Sequence, residues 1–200
     1  MIRDIDQIIR NLLNFYNFNN KNIISVGAGG GQFIEYGRVA QKVYAIDNDL
    51  NALKQLEKTL KLQNITEKFE LIHSDFKNVK LKGDVVLFEF CFHEMQEHIS
   101  TINHALKMSK DIVITDHDIN SEWAYYVEEE VKATQSWNAA ETFPILKNEV
   151  IETKQYFEDY TQLYNKVHIQ GETTINRIKK FKDQKKFSIP MKYRNAYICV

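Results

Sequence analysis

The sequence predicts an α/β fold, a doubly wound and mostly parallel sheet with helices on both faces. Two observations carry that prediction. Five apolar runs of strand length, at 22–26, 42–46, 69–73, 85–90 and 111–115, alternate with segments of helical periodicity. Four of the seven glycines fall within residues 27–31, directly after the first of those runs, where a bare backbone can turn sharply into a helix.

Taken in order, Ile2, Ile5, Ile8, Ile9, Leu12, Leu13 and Tyr16 recur at helical spacing and predict an amphipathic helix over 2–16, broken by Asn19 and Asn20. Further helices are predicted between the strands at 31–40, 49–62 and 94–108. Residues 121–164 hold many acids, few β-branched runs and most of the large aromatics, including Trp123, Tyr125, Tyr126, Trp137 and Phe143. They read as a helical cap inserted after strand five, with Pro144 separating two helices. Thr173 or Thr174 is placed to cap a helix running to Lys182, and 193–200 reads as a closing strand. No linker or repeat divides the chain. It is expected to be one domain: an N-terminal helix over 1–20, a ligand-binding half over 21–118, and a cap with the closing elements over 119–200.

A chain of 200 residues can bury roughly 70% of its unfolded surface in one core. Its 44% hydrophobic and 26% charged residues exclude disordered and collagen-like classes. Cys91 and Cys199 cannot build a disulfide framework, and neither has zinc-finger spacing. No stretch approaches the ~20 apolar residues of a membrane span. Arg3, Asp4, Asp6 and Arg10 interrupt what would be a signal peptide, so the expected compartment is cytoplasmic. The 26 basic and 27 acidic residues give no global field for nucleic acid or membrane. The charge is nevertheless uneven: residues 111–159 hold twelve acids against three bases, and 176–194 hold eight bases against one acid. The two blocks are expected to face each other.

The strand ending at Val26 runs into Gly27, Ala28, Gly29, Gly30 and Gly31, and twenty residues after Gly27 the second strand ends in Asp47. Bare backbone below a helix N-terminus, followed by a carboxylate that can accept from both ribose hydroxyls, describes a nucleotide-type site. A dinucleotide fingerprint from Gly27 requires glycine where Gln32 stands, and no Walker lysine follows Gly31. The stretches ISVGAGGGQF, VYAIDND, LIHSDF and DVVLFEFCFHEM together resemble the class I S-adenosylmethionine-dependent methyltransferases over about residues 20–118. The resemblance implies a seven-stranded sheet closed by a C-terminal β-hairpin, with S-adenosylmethionine as cofactor. It assigns the methionine part of the cofactor to Gly27, Gly29 and Gly31, the ribose to Asp47 with Asn48, and the adenine to Asp75 and Phe76. Where members of that family often carry an acid, two residues before the first glycine, this chain has Ser25. Glu89 is the candidate to meet the cofactor's amino group instead.

Residues 89–94, EFCFHE, leave the fourth strand at the carboxyl edge of the sheet, where open α/β folds bind ligands. The resemblance implies that the transferring methyl emerges there and matches His93 to a histidine common in small-molecule members. A neutral His93 imidazole could take a proton from the acceptor, with Glu94 as the accompanying acid. HEMQEH is not a zincin motif, because Glu97 stands where the second histidine belongs and His98 comes one residue late. The expectation for the site is therefore no metal. A second cluster, Asp116, His117 and Asp118, ends the fifth strand, and a polar strand terminus is preferred there over a metal held by His117 and Asp116.

Aromatic residues of the cap can surround an apolar or cationic ligand. The expected acceptor is a small molecule, with an amine slightly preferred over oxygen or sulfur. An RNA acceptor is the alternative, tracked by the basic run RIKKFKDQKKF, but the N/D-P-P-Y/F stretch of base-amine methylation is replaced by EFCF. Nucleic acid is thus an unexpected partner and no membrane partner is expected. A non-catalytic S-adenosylmethionine-binding module is the remaining reading.

Overall fold

The computed structural model describes residues 5–29 and 33–200. Seven strands form one sheet: β1 (Asn22–Val26), β2 (Lys42–Asp47), β3 (Phe69–His73), β4 (Val85–Glu89), β5 (Asp111–His117), β6 (Ile145–Asp159) and β7 (Lys185–Cys199). Their order is β3-β2-β1-β4-β5-β7-β6. The first five are parallel, and β7 inserts antiparallel between β5 and β6. Chain order reverses between β1 and β4, so the carboxyl ends of those two strands border the crevice of a doubly wound sheet.

The central strands are continuous apolar runs because both faces are covered. Ile23, Leu87 and Val113 pack on one side against α1 (Ile5–Phe15) and α3 (Leu50–Leu62), through Leu12, Leu53 and Leu56. Ile24, Phe88 and Ile114 pack on the other against α4 (His98–Leu106) and the buried ring of Trp137. The glycine loop leads to a short α2 (Tyr36–Val39), well inside the predicted 31–40. The predicted helix over 94–108 divides into a single 3-10 turn, Phe92–Glu94, and α4.

The cap after β5 contains α5 (Glu122–Tyr126) and α6 (Glu130–Ala140). Beyond Pro144 the helical expectation fails, because residues 145–159 form β6. Its burial is largely exposed on both faces, so it shows neither helical periodicity nor an apolar run. Two further helices, α7 (Tyr160–Val167) and α8 (Glu172–Ile178), sit between β6 and β7. The closing hairpin therefore carries a helical insertion at its end. β7 begins eight residues before the predicted 193. Of the strands, residues 185–192 pair with β6 alone, whereas 193–198 pair with both neighbours, so half of the hairpin overhangs the sheet.

The two charge blocks do meet. Arg194 pairs with Glu141 at 2.7 Å, Lys192 with Glu152 at 2.8 Å, Arg177 with Glu130 at 2.9 Å and Lys180 with Glu122 at 3.8 Å. No helix among the described residues is long and apolar enough to cross a membrane.

Candidate active site

At the end of β1, Gly27 has φ +69° and donates its N–H to the Ile46 carbonyl at 3.0 Å. A Cβ there would lie 2.4 Å from Cys91 Cβ, so the chain leaving β4 passes hard against the loop. The Cys91 thiol donates to the Val26 carbonyl at 3.1 Å. Gly29 N–H donates to Asp47 Oδ2 at 2.8 Å, and Asp49 N–H donates to Asp47 Oδ1 at 2.8 Å. The carboxylate that ends β2 is thereby fixed against the loop, each oxygen retaining a lone pair for another donor. Gly31 lies outside the described residues.

These groups open on a cleft of about 980 Å³ lined by Gly27, Asp47, Asn48, Asp75, Phe76 and Glu94. Asp75 caps the turn at Phe76–Asn78 by accepting from Lys77 N–H at 3.0 Å. Hydrogen bonds from Lys77, opposed by slight burial, hold its carboxyl below the usual range. Phe76 forms the floor, edge-on to Phe88 and His104. Asn48 takes part through its carbonyl, 3.1 Å from His73 Nε2. The cleft is large enough for a nucleoside joined to an amino acid, and no Cβ obstructs its glycine wall.

Glu89 has a different setting from the one expected. Its Oε1 accepts from Ser25 Oγ at 2.5 Å and from the Tyr36 hydroxyl. The carboxyl is buried and is not among the residues lining the cleft. Burial pushes it up to about 8, against the lowering effect of the Ser25 and Tyr36 hydrogen bonds. It offers no ready carboxylate to a cofactor ammonium.

After β4 the chain turns on Phe90, which holds φ +49°, a left-handed conformation costly for a bulky residue. That turn delivers His93 into the sheet edge, 4% exposed. Asp116, fully buried on β5, accepts from His93 Nδ1 at 2.6 Å, from His93 N–H at 2.9 Å and from His117 N–H at 2.8 Å. His93 Nε2 faces outward, 3.4 Å from Glu94 Oε1 and 3.7 Å from Glu129 Oε2. His117 Nε2 lies 3.1 Å from the same Glu129 oxygen. Glu129 follows Glu128, a second left-handed residue at φ +60°, whose carboxylate is tied to Thr174.

The electrostatics correct the neutral imidazole expected of His93. Burial opposes its charge, but hydrogen bonds to Asp116, Glu129 and Glu94 prevail and push it up to about 12. Glu94 is held down to about 2 by His93 and Lys132 against burial, and Glu129, despite its burial, to about 2 by His117 and His93. His93 in this setting holds a proton rather than taking one. Asp116 is likewise turned inward with its oxygens occupied, so the alternative of a metal on the His117–Asp116 pair is not open to it.

His93, Glu94, Asp116 and His117 are thus brought together as the sequence suggested. Glu129 was missed, since it is the middle of three consecutive glutamates and nothing marks it out. Beyond the cluster, a smaller pocket of about 220 Å³ is lined by Phe33, Phe90, His117, Lys154, Lys166 and Met191. Phe33 and Phe90 stack at 5.6 Å on its wall.

Residues 20–120 match the family described as RNA cap guanine-N2 methyltransferase. No curated protein matches the chain in sequence. Among solved structures, a candidate methyltransferase from Bacillus halodurans is similar with a TM-score of 0.69 at 15% identity, covering 98% of each chain. A candidate RNA methyltransferase from Pyrococcus horikoshii has a TM-score of 0.59 at 12% identity, over 98% of this chain and 82% of its own. An S-adenosylmethionine-dependent O-methyltransferase from Thermotoga maritima has a TM-score of 0.58 at 14% identity, over 98% of this chain and 65% of its own. The glycine loop, the fixed Asp47 and the sheet order agree with that match over half the sequence, and the chain belongs to the RNA cap guanine-N2 methyltransferase family as an S-adenosylmethionine-dependent methyltransferase.

Proposed function

We propose that the enzyme methylates a small-molecule nucleophile. The observation that carries this reading is the acidic rim of the site, where Glu94 and Glu129 flank His93 within 3.7 Å. Carboxylates held in their charged form repel a phosphate backbone and favour a neutral or cationic acceptor. Part of the basic C-terminal segment is engaged elsewhere: Arg177 and Lys180 pair with acids of the cap, Arg194 with Glu141 and Lys192 with Glu152 of β6. The apolar pocket beside His117, at about 220 Å³, suits a compact acceptor.

In this reading Gly27, Gly29 and the fixed Asp47 hold the cofactor, with Asp75 and Phe76 at its adenine end. S-adenosylmethionine supplies an electrophilic methyl carried on a sulfonium. The chain's own work is positioning and exclusion of water. Phe33 and Phe90 form the apolar wall that orients the acceptor, and His93, oriented by Asp116, presents Nε2 at the β4 exit.

RNA is the second reading, favoured by the family description and by Lys154 and Lys166 on the wall of the smaller pocket. Labelled methyl transfer separates the two. The purified enzyme is incubated with labelled S-adenosylmethionine and either a panel of amines, phenols and thiols or a capped RNA. Label in the small molecules is the expected result. Label in RNA alone overturns it in favour of the second reading.

A further inference from the structure

We propose that His93, Glu94 and Glu129, with His117 beside them against Glu129, form a binding site for one first-row divalent metal ion. Ligand atoms about 2.1 Å from an ion stand roughly 3.0 Å apart at octahedral and 3.4 Å apart at tetrahedral angles. The observed separations lie near or slightly above those values: 3.1 Å from His117 Nε2 to Glu129 Oε2, 3.4 Å from His93 Nε2 to Glu94 Oε1, and 3.7 Å from His93 Nε2 to Glu129 Oε2. One ligating atom each from His93, Glu94 and Glu129 falls within a 4.8 Å span.

The surroundings supply what a histidine ligand needs once the ion takes the place of the His93 Nε2 proton. A metal-bound imidazole donates its other N–H to a carboxylate that fixes ring and tautomer, and Asp116 accepts from His93 Nδ1 at 2.6 Å while gripping the same residue's backbone N–H. His117 is fixed through its backbone, its N–H bonded to Asp116 and its carbonyl accepting from Trp137 Nε1 at 2.7 Å. Both imidazoles are buried, whereas Glu94 is half-exposed and bonded to Lys132 Nζ at 2.8 Å and 2.9 Å. An exposed ion pair of that kind is cheap to part, so Glu94 can turn from Lys132 to the ion. An imidazole with two carboxylates suits Zn²⁺, Mn²⁺ or Fe²⁺ better than Mg²⁺, which prefers an all-oxygen shell.

Glu94 also lines the cofactor cleft, and His117 the smaller pocket. An ion here stands between the two, where it could hold a heteroatom of the acceptor. That meaning for the reaction rests on the small-molecule reading; the binding itself does not.

The test uses the full-length protein stripped of metal with a chelator. Zn²⁺, Mn²⁺ and Mg²⁺ are titrated by calorimetry and Co²⁺ by visible absorption. One equivalent of Zn²⁺ or Mn²⁺ should bind, with Mg²⁺ at least tenfold weaker, and Co²⁺ should develop ligand-field bands. His93→Gln and Glu129→Gln should each weaken binding at least tenfold. Glu129→Gln is isosteric, and a cooperative melt establishes that each variant is folded. Absence of stoichiometric binding of all four ions, or unchanged affinity in folded Glu129→Gln and His93→Gln, overturns the site. Methyl transfer is assayed separately, so a failed acceptor panel leaves the metal result standing.

Discussion

Asp116 holds His93 twice, through the imidazole Nδ1 at 2.6 Å and the backbone N–H at 2.9 Å, and so fixes both where the ring is and which nitrogen it shows. Strand β5 thereby governs a residue on the loop that leaves β4. The reach across two adjacent parallel strands is what the doubly wound order provides, since Glu89 and Thr115 are direct neighbours in register.

Asp47 carries the first prediction. Its carboxylate secures the glycine loop and, in the proposed cofactor complex, would hold the ribose. Asp47→Ala should weaken S-adenosylmethionine binding by about 2 kcal/mol through loss of charge-assisted hydrogen bonds. Calorimetric titration of the variant checks this, and an unchanged affinity refutes the assignment.

Gly29 gives the second. A Cβ at this position would stand 2.6 Å from Asp47 Oδ2 and 2.8 Å from Ala52 Cβ. Gly29→Val should displace the Asp47 carboxylate and abolish cofactor-dependent thermal stabilisation, while the circular dichroism of the fold is retained. Wild-type stabilisation in that variant would contradict the loop geometry.

The buried Glu89 makes a prediction about pH. Its folded value near 8 lies above its ordinary carboxylate value of 4.5, so the folded state binds the proton more tightly. The associated stability is fully present below the unfolded value and is lost as pH rises through that window to the folded one. A single such proton contributes a slope of about 1.4 kcal/mol per pH unit. Denaturation midpoints should fall between pH 5 and pH 8, and Glu89→Gln, neutral and of equal size, should flatten that fall. Equal slopes in wild type and variant would exclude Glu89 as its source.

Trp137 supports the site from behind. Its indole donates to the His117 carbonyl at 2.7 Å, and the Arg194 guanidinium lies 4.5 Å over its ring. Trp137→Phe removes the hydrogen bond and part of a buried side chain, and should destabilise the fold by about 1–3 kcal/mol. Urea denaturation measures this, and a midpoint at the wild-type value counts against the role.

Much of this architecture is legible in the sequence, for physical reasons that also explain what is not. The central parallel strands β1, β4 and β5 are buried on both faces, and so read as apolar runs such as Val85–Glu89. The loop and Asp47 are legible because their spacing is dictated by the distance between neighbouring strands. β6 is hidden because an edge strand with exposed lysines and glutamates on either face carries no period. Glu129 is hidden because its role depends on a left-handed turn at Glu128, and on an imidazole twelve residues earlier whose orientation β5 decides. The Glu89–Tyr36 contact is equally silent, since Tyr36 reads only as a helix residue.

The overhang of the hairpin bears on the choice of acceptor. Residues 193–198 of β7 are locked between two strands, but 185–192 have β6 as their only strand partner, and it is this half of the hairpin, with Met191 of β7 and Thr153, Lys154 and Gln155 of β6, that walls the smaller pocket. In the small-molecule reading, changes at exposed positions there would reshape the acceptor pocket while the central sheet and the cofactor cleft stay as they are.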